Sequence, residues 1–231
     1  SDVKMFEDRP YRRISSYCYG GAMEDSLEFT LVFGVTEERK SSLGEYDRCE
    51  MQRIASWLTG HRDYRWLQVI QDDLAAVRYR CYITDLEAVE VGGRHWGFQC
   101  KVHCDSPYGY LLPKSFTYEV NGSATVKLHS DSSANDPYFP VLSIKQNGGT
   151  KFSVVNKTDN NRSFTLDGIP TGAGAILLDS DKGVLTCEAG LNLYPYCNFK
   201  FPRLLRGDNE LTLTGTGTFV FTCEFPVNVG G

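Results

Sequence analysis

The stretch from Trp96 to Tyr110 constrains the fold more than any other part of the chain. Trp96, Phe98, Cys100, Val102 and Cys104 fall on one side of an alternation, and Gln99, Lys101 and His103 on the other. That period of two is the signature of a half-buried antiparallel strand. The strand must stop at Asp105-Ser106-Pro107, because proline has no N–H for a ladder and holds the residue before it extended. The segments that follow are again β-patterned, but poorer in charge and richer in Gly, Thr and Asn. A strand that ends abruptly before a β region of different texture predicts two domains, 1–110 and 111–231. Asp105, Ser106 and Pro107 are expected to fix their junction, and nothing around them has the pattern of a catalytic pocket.

With 231 residues the chain can build two small cores. A net charge of -5 gives no electrostatic reason to expect binding to a nucleic-acid backbone, and the short cluster Arg9, Arg12, Arg13 reads as solvated surface. No apolar run approaches the roughly 20 residues needed to span a bilayer, so no membrane partner is expected. The polar N-terminus has no apolar signal-peptide core, and the sequence opens at Ser1, which leaves its natural start undefined. Most of the 8 cysteines sit at alternating apolar positions, Cys81 with Tyr79 and Ile83, Cys223 with Phe219 and Phe221. They are read as reduced, buried thiols of a protein assembled in a bacterial cytoplasm.

Leu27, Phe29, Leu31, Phe33 and Val35 predict a further strand, preceded by a turn at Gly20-Gly21. Between about Glu45 and Thr59 the period becomes helical, with Met51, Ile54, Ala55 and Leu58 on one stripe and Gly60 as the stop. Trp57 and Leu58 are expected to pack this single helix against the first sheet. Strands are predicted near Arg65–Gln71, Val77–Ile83 and Glu87–Val91, with a hairpin at Gly92-Gly93. Past Leu112 short strands recur near Ser115–Val120, Thr125–His129, Val141–Gln146, Lys151–Val155, Ser163–Leu166, Ala175–Leu178, Val184–Cys187, Glu210–Thr214 and Thr218–Phe225. Asn147-Gly148-Gly149 and Asp179–Gly183 read as hairpin turns. The sum is a mainly β chain whose second half is a sandwich.

Laid out in order, these features resemble the distal tail proteins of siphophages and prophages. The matching residues are Gly20-Gly21, Leu27–Leu31, Ile54–Leu58, Tyr64/Trp66/Leu67, Tyr79–Ile83, Trp96–Phe98 and Cys104–Tyr110. In the second half they are Pro140–Ile144, Leu178-Asp179, Phe201–Leu204 and Gly207–Asn209. The resemblance implies an N-terminal tail-tube-like β-barrel or sandwich with one helix and a C-terminal galectin-like β-sandwich. It implies a hexameric ring of the protein with itself at the virion tail tip. That ring would join the tail tube protein to tail-tip or baseplate proteins, and a receptor-binding protein among them. DNA would pass through the channel without specific binding. Family members carry extra strands ahead of the Gly-Gly segment, whereas this sequence shows little strand pattern before Tyr11.

No cofactor, metal or enzymatic activity is expected. Cys81, Cys100, His103 and Cys104 have poor zinc spacing, with His103 on the opposite face from the thiols. Asp179-x-Asp181-x-Gly183 lacks the glutamate an EF-hand needs and is read as a turn, as is Arg206-Gly207-Asp208. The sequons at Asn121, Asn156 and Asn161 mark surface turns. There is no Gly-x-Ser-x-Gly elbow, and His61, His95, His103 and His129 stand in unrelated contexts. The competing reading is a carbohydrate-binding sandwich contributing to host-surface attachment. Tyr194 and Tyr196 flank Pro195 as its platform for glycan or partner contact, and Tyr138-Phe139 is a weaker pair.

Overall fold

The computed structural model describes residues 3–8, 17–23, 26–34, 47–70 and 76–229. Among them the chain is mainly β with one α-helix, and it divides into two compact units. One runs to Gly109 and regains the chain at Val229; the other spans Tyr110–Asn228.

In the first unit β1 (Val3–Asp8) pairs antiparallel with β2 (Tyr17–Met23). A strand is therefore present before Tyr11, and Gly20-Gly21 lies within β2 rather than at a turn. A second sheet carries β3 (Glu28–Gly34), β4 (Arg65–Gln68), β5 (Val77–Val91) and β6 (Arg94–Cys104), ordered β4-β5-β6-β3 and all antiparallel. The alternation that predicted β3 and β6 places Phe29 and Leu31 against Val102, with Tyr79, Cys81 and Cys104 completing the small core. β5 is one strand where the sequence suggested two. The register shifts between Thr84 and Glu87, and Asp85 takes φ +50, so a bulge absorbs the break in pattern. Gly92 and Gly93, at φ +63 and +76, make the β5–β6 hairpin.

Helix α1 (Arg48–Thr59) starts on a capping box. Asp47 accepts from the Glu50 N–H at 2.8 Å, and Glu50 accepts from the Asp47 N–H at 3.1 Å. It stops where the Gly60 N–H donates to the Ser56 carbonyl at 2.9 Å. A Cβ at Gly60 would lie 2.3 Å from that oxygen, so only glycine permits the approach.

The second unit is organised by two 17-residue strands, β8 (Lys114–Ser130) and β14 (Gly207–Cys223), paired in register along their whole length. β7 (Gly109–Leu111) precedes β8 and belongs to the sheet of β5, not to this one, whereas between β8 and β14 in sequence come β9 (Val141–Gln146), β10 (Lys151–Asn156), β11 (Arg162–Asp167), β12 (Ala175–Asp179) and β13 (Val184–Cys187). The first half of β14 pairs β10 through Leu211–Thr214, and its second half pairs β9 through Gly217–Thr222. One ribbon thus serves both halves of a single seven-stranded sheet, β11-β10-β14 and β14-β9-β12-β13, which close over a common core as two layers. It changes layer at Gly215 (φ +136), which sits opposite Gly122 (φ +88). Phe152 and Val154 from one layer meet Ile144, Phe219 and Phe221 from the other, and Phe152 and Phe219 have ring centroids 6.1 Å apart. Each such fully buried side chain contributes about 1.5–3 kcal/mol relative to exposure.

In the second unit the observed strands differ from the sequence pattern at three places. Ser115–Val120 with Thr125–His129, and Glu210–Thr214 with Thr218–Phe225, are the two halves of β8 and of β14. Their Gly-containing breaks bend a strand without ending it. Asn147-Gly148-Gly149 is not a hairpin, since β9 and β10 do not pair with each other; it crosses between layers, both strands being partners of β14. Asp179–Gly183 does join a hairpin, β12 with β13.

Candidate functional site

The two units differ most in what they leave uncovered. Helix α1 has no buried residue. Its predicted stripe of Met51, Ile54, Ala55 and Leu58 is only half-buried. Trp57 departs from the expected packing: it is 71% exposed, because it lies about 100° around the axis from Leu58. Leu58 and Trp57 instead border a cleft of about 240 Å³, with His61, Trp66, Leu67 and Ile83 on its other walls. Val32, Tyr64, Trp66, Ile70 and Tyr82 of the same unit are also exposed.

The outward face of the sheet explains several of them. On β5, Arg78, Arg80 and Tyr82 alternate with the buried Tyr79 and Cys81. Register puts Trp66 beside Arg80, Tyr82 beside His103, and His103 beside Glu28. The Arg78 guanidinium lies 4.1 Å over the Trp66 ring, and Arg80 lies 6.0 Å over Tyr64. Tyr82 stacks on His103 at 5.1 Å and 14°, and His103 is fixed by Glu28 Oε1 at 2.7 Å and Thr84 Oγ1 at 2.8 Å. The result is a row of large rings braced by cations, a surface suited to burial against a protein. Among the described residues, β3 pairs with β6 alone and forms the sheet's outer edge. Among the described residues, no group of three His, Cys, Asp or Glu is placed there to hold a metal ion.

Asp105, Ser106 and Pro107 follow β6, within the last residues before Gly109. The Asp105 N–H donates to the Arg80 carbonyl at 2.9 Å, and its carboxylate lies 3.5 Å from Arg80 Nη1. The Ser106 carbonyl accepts from Leu27, and its hydroxyl accepts from the Tyr108 N–H at 3.2 Å. These bonds pin the end of β6 to both neighbouring strands.

In the second unit Tyr194 and Tyr196 lie on a short 3₁₀ turn, half-buried against the core. The Tyr194 hydroxyl accepts from the Leu185 N–H at 3.1 Å and donates to the Gly183 carbonyl at 3.2 Å, so it is committed to structure. The exposed ring is Phe199, at 59%, stacked on Tyr194 at 6.1 Å and 10°. Phe199 has φ +57, a conformation bulky residues rarely adopt, and nothing in the sequence signals it. The loop bearing it is fastened to edge strand β11 by Asn198, which accepts from the Thr165 N–H and donates to the Ser163 carbonyl. Nearby, Asp159 is buried and holds Arg203 through two bonds of 2.7 and 3.0 Å.

Two family profiles match the chain, described as a phage tail protein N-terminal domain over residues 1–106 and a phage tail C-terminal domain over 108–223. The chain belongs to the phage tail proteins. Comparison with curated proteins gives no match. Among solved structures, this tail protein is similar to the SPP1 Dit (gp 19.1) protein, described as a paradigm of hub adsorption apparatus in phages infecting Gram-positive bacteria. The TM-score is 0.64 at 14% identity, over 97% of this chain and 88% of that one. A chain of the phage P2 baseplate in its activated conformation with Ca matches with TM-score 0.49 at 13% identity, over 95% of this chain and 86% of that one. The distal-tail-protein fold is therefore shared, and the tail is where such a protein resides.

Proposed function

We propose that this tail protein is a structural hub that closes into a hexameric ring and joins the tail tube to the tail-tip or baseplate proteins. Residues 1–110 are the tail-tube-like, ring-forming domain. Residues 111–231 are a galectin-like sandwich directed at baseplate or receptor-binding partners, and Asp105–Pro107 fix the junction. DNA passes the channel without specific contact, consistent with the net charge of -5. Assembly takes place in the host cytoplasm, with thiols reduced. No step of this role calls for catalysis.

The observation that carries the reading is the incomplete burial of the first unit. A helix with no buried residue, an edge strand and exposed Val32, Trp57, Trp66 and Ile70 occur together. A head-to-tail interface between copies would cover such a face and satisfy the edge of β3. The test is light scattering on a sizing column across a concentration series, for the parent and for Trp57→Ser. A hexameric mass that Trp57→Ser shifts toward monomer supports the reading. A monomer at all concentrations, in the presence of tail tube protein as well, would overturn it.

A second reading rests on Phe199. A strained, exposed ring backed by Tyr194 is a ready contact for a glycan, and the sandwich then contributes to host attachment. Loss of glycan-array binding on Phe199→Ala, with assembly intact, would favour it over partner docking.

A further inference from the structure

Cys81 on β5 and Cys104 on β6 are direct register partners, and both side chains are buried on the same face of the sheet. The hydrogen-bond pattern defines how close they come. The Cys104 N–H points away from β5 and donates to Leu27 at 2.9 Å, while the next residue, Asp105, donates to the Arg80 carbonyl at 2.9 Å. Cys81 and Cys104 are therefore a non-hydrogen-bonded pair, the closer of the two antiparallel kinds, with Cα atoms about 4.5 Å apart. A disulfide takes Cα separations of about 4.4–6.8 Å. Cys100 shares the buried face, but it lies opposite the β5 bulge and turns its thiol toward the Leu31 carbonyl at 3.7 Å. It has no cysteine across from it.

We propose that Cys81 and Cys104 form a reversible cross-strand disulfide when the protein meets a low-molecular-weight disulfide such as oxidised glutathione. One protein thiolate attacks a sulfur of the small disulfide, giving a mixed disulfide and one small thiol. The second protein thiolate then displaces the other small thiol. Two S–H bonds become one protein S–S bond, and the reagent is reduced to two thiols that carry the protons away. Burial, with Asp105 and the neighbouring thiols adding to it, pushes Cys81 up to about 11 and Cys104 up to about 12. Attack from the closed sheet is thus slow, and exchange follows opening at the end of β6. Side chains of such pairs stand about 4.5–5.5 Å apart at Cβ, a little wider than the roughly 3.5–4.5 Å a relaxed disulfide prefers. The bond draws the strands together and stays readily reducible.

The test uses the full chain in glutathione buffers of graded redox poise. One series is run under native conditions and one during refolding from urea, each followed by peptide mapping of trapped thiols. The expected product is one intramolecular bond joining the Cys81 and Cys104 peptides, reversed by dithiothreitol. The bond should raise the melting temperature of the first unit on the order of 10 °C. Cys100→Ser should still form it; Cys81→Ser and Cys104→Ser should not. If a serine variant fails to fold, the parent's peptide map decides alone. A parent fully reduced at the oxidising limit in both series, or a bond that uses Cys100 or links two chains, would overturn the proposal.

Discussion

Gly215 and Gly122 face each other at the bend of the β8–β14 ribbon, and their surroundings differ in a way that makes a matched pair of substitutions informative. Both have positive φ, +136 and +88, so alanine at either pays a conformational cost of about 1–2 kcal/mol. At Gly122 an added Cβ meets nothing within 4 Å. At Gly215 it would lie 2.5 and 2.9 Å from atoms of the Phe152 ring and 3.1 Å from the Lys151 carbonyl oxygen. Phe152 is fully buried and packs against Phe219, so the ring has nowhere to go. Overpacking of that kind costs a further 1–3 kcal/mol, roughly. Gly215→Ala should therefore cost about 2–5 kcal/mol and Gly122→Ala only the conformational part, about 1–2 kcal/mol. With each kcal/mol worth about 4 °C in a domain of this size, scanning calorimetry should show the second unit's transition falling by about 8–20 °C in Gly215→Ala. The drop in Gly122→Ala should be near 6 °C, roughly, by the same conversion. Equal losses, or a larger one at Gly122, would refute the view that the ribbon turns over the core at Gly215.

Other outcomes follow from single interactions. Arg203→Ala should leave the buried Asp159 carboxylate without its partner and cost about 3 kcal/mol, read as a lowered urea midpoint, with Asp159→Asn in the same background recovering part of it. Burial pushes the Cys223 thiol up to about 12. The folded unit keeps that proton while the unfolded chain loses its own above about pH 8.5. The contribution is thus complete below that pH and falls by about 1.4 kcal/mol per pH unit above it. Cys223→Ala should flatten the decline of the urea midpoint between about pH 9 and 10 relative to the parent. Asp47→Ala should remove the α1 cap and lower the first unit's stability by about 1 kcal/mol without moving the second transition.

What the sequence made legible and what it hid follow from the range of the physics involved. The alternations through Leu27–Phe33 and Trp96–Cys104, and the helical stripe ending at Leu58, are local patterns that one buried face imposes on consecutive residues. They survive in β3, β6 and α1. Trp57 is exposed despite its size because angle decides which side chains pack: it lies beside the stripe, not on it. Asn121-Gly122 and the Gly215 region carry the composition of turns, yet a 17-residue partner strand overrides that preference. Asn147-Gly148-Gly149 has hairpin chemistry, but both flanking strands find a better neighbour in β14, and local turn residues carry no record of a distant strand. The row of Tyr64, Trp66, Tyr82 and His103 arises only from the registers of three strands. The exposure of Phe199 depends on a left-handed backbone held by Asn198, which no spacing announces.

The measurement that bears most directly on the hub reading is a cryo-electron microscopy map of tails carrying this protein, at a resolution that shows side chains. The account predicts a hexameric ring at the tail tip in which Val32, Trp57 and Trp66 are covered by the next copy and the β3 edge is paired or sheltered. A map in which those residues face solvent, or in which the copies make no closed ring, would contradict it.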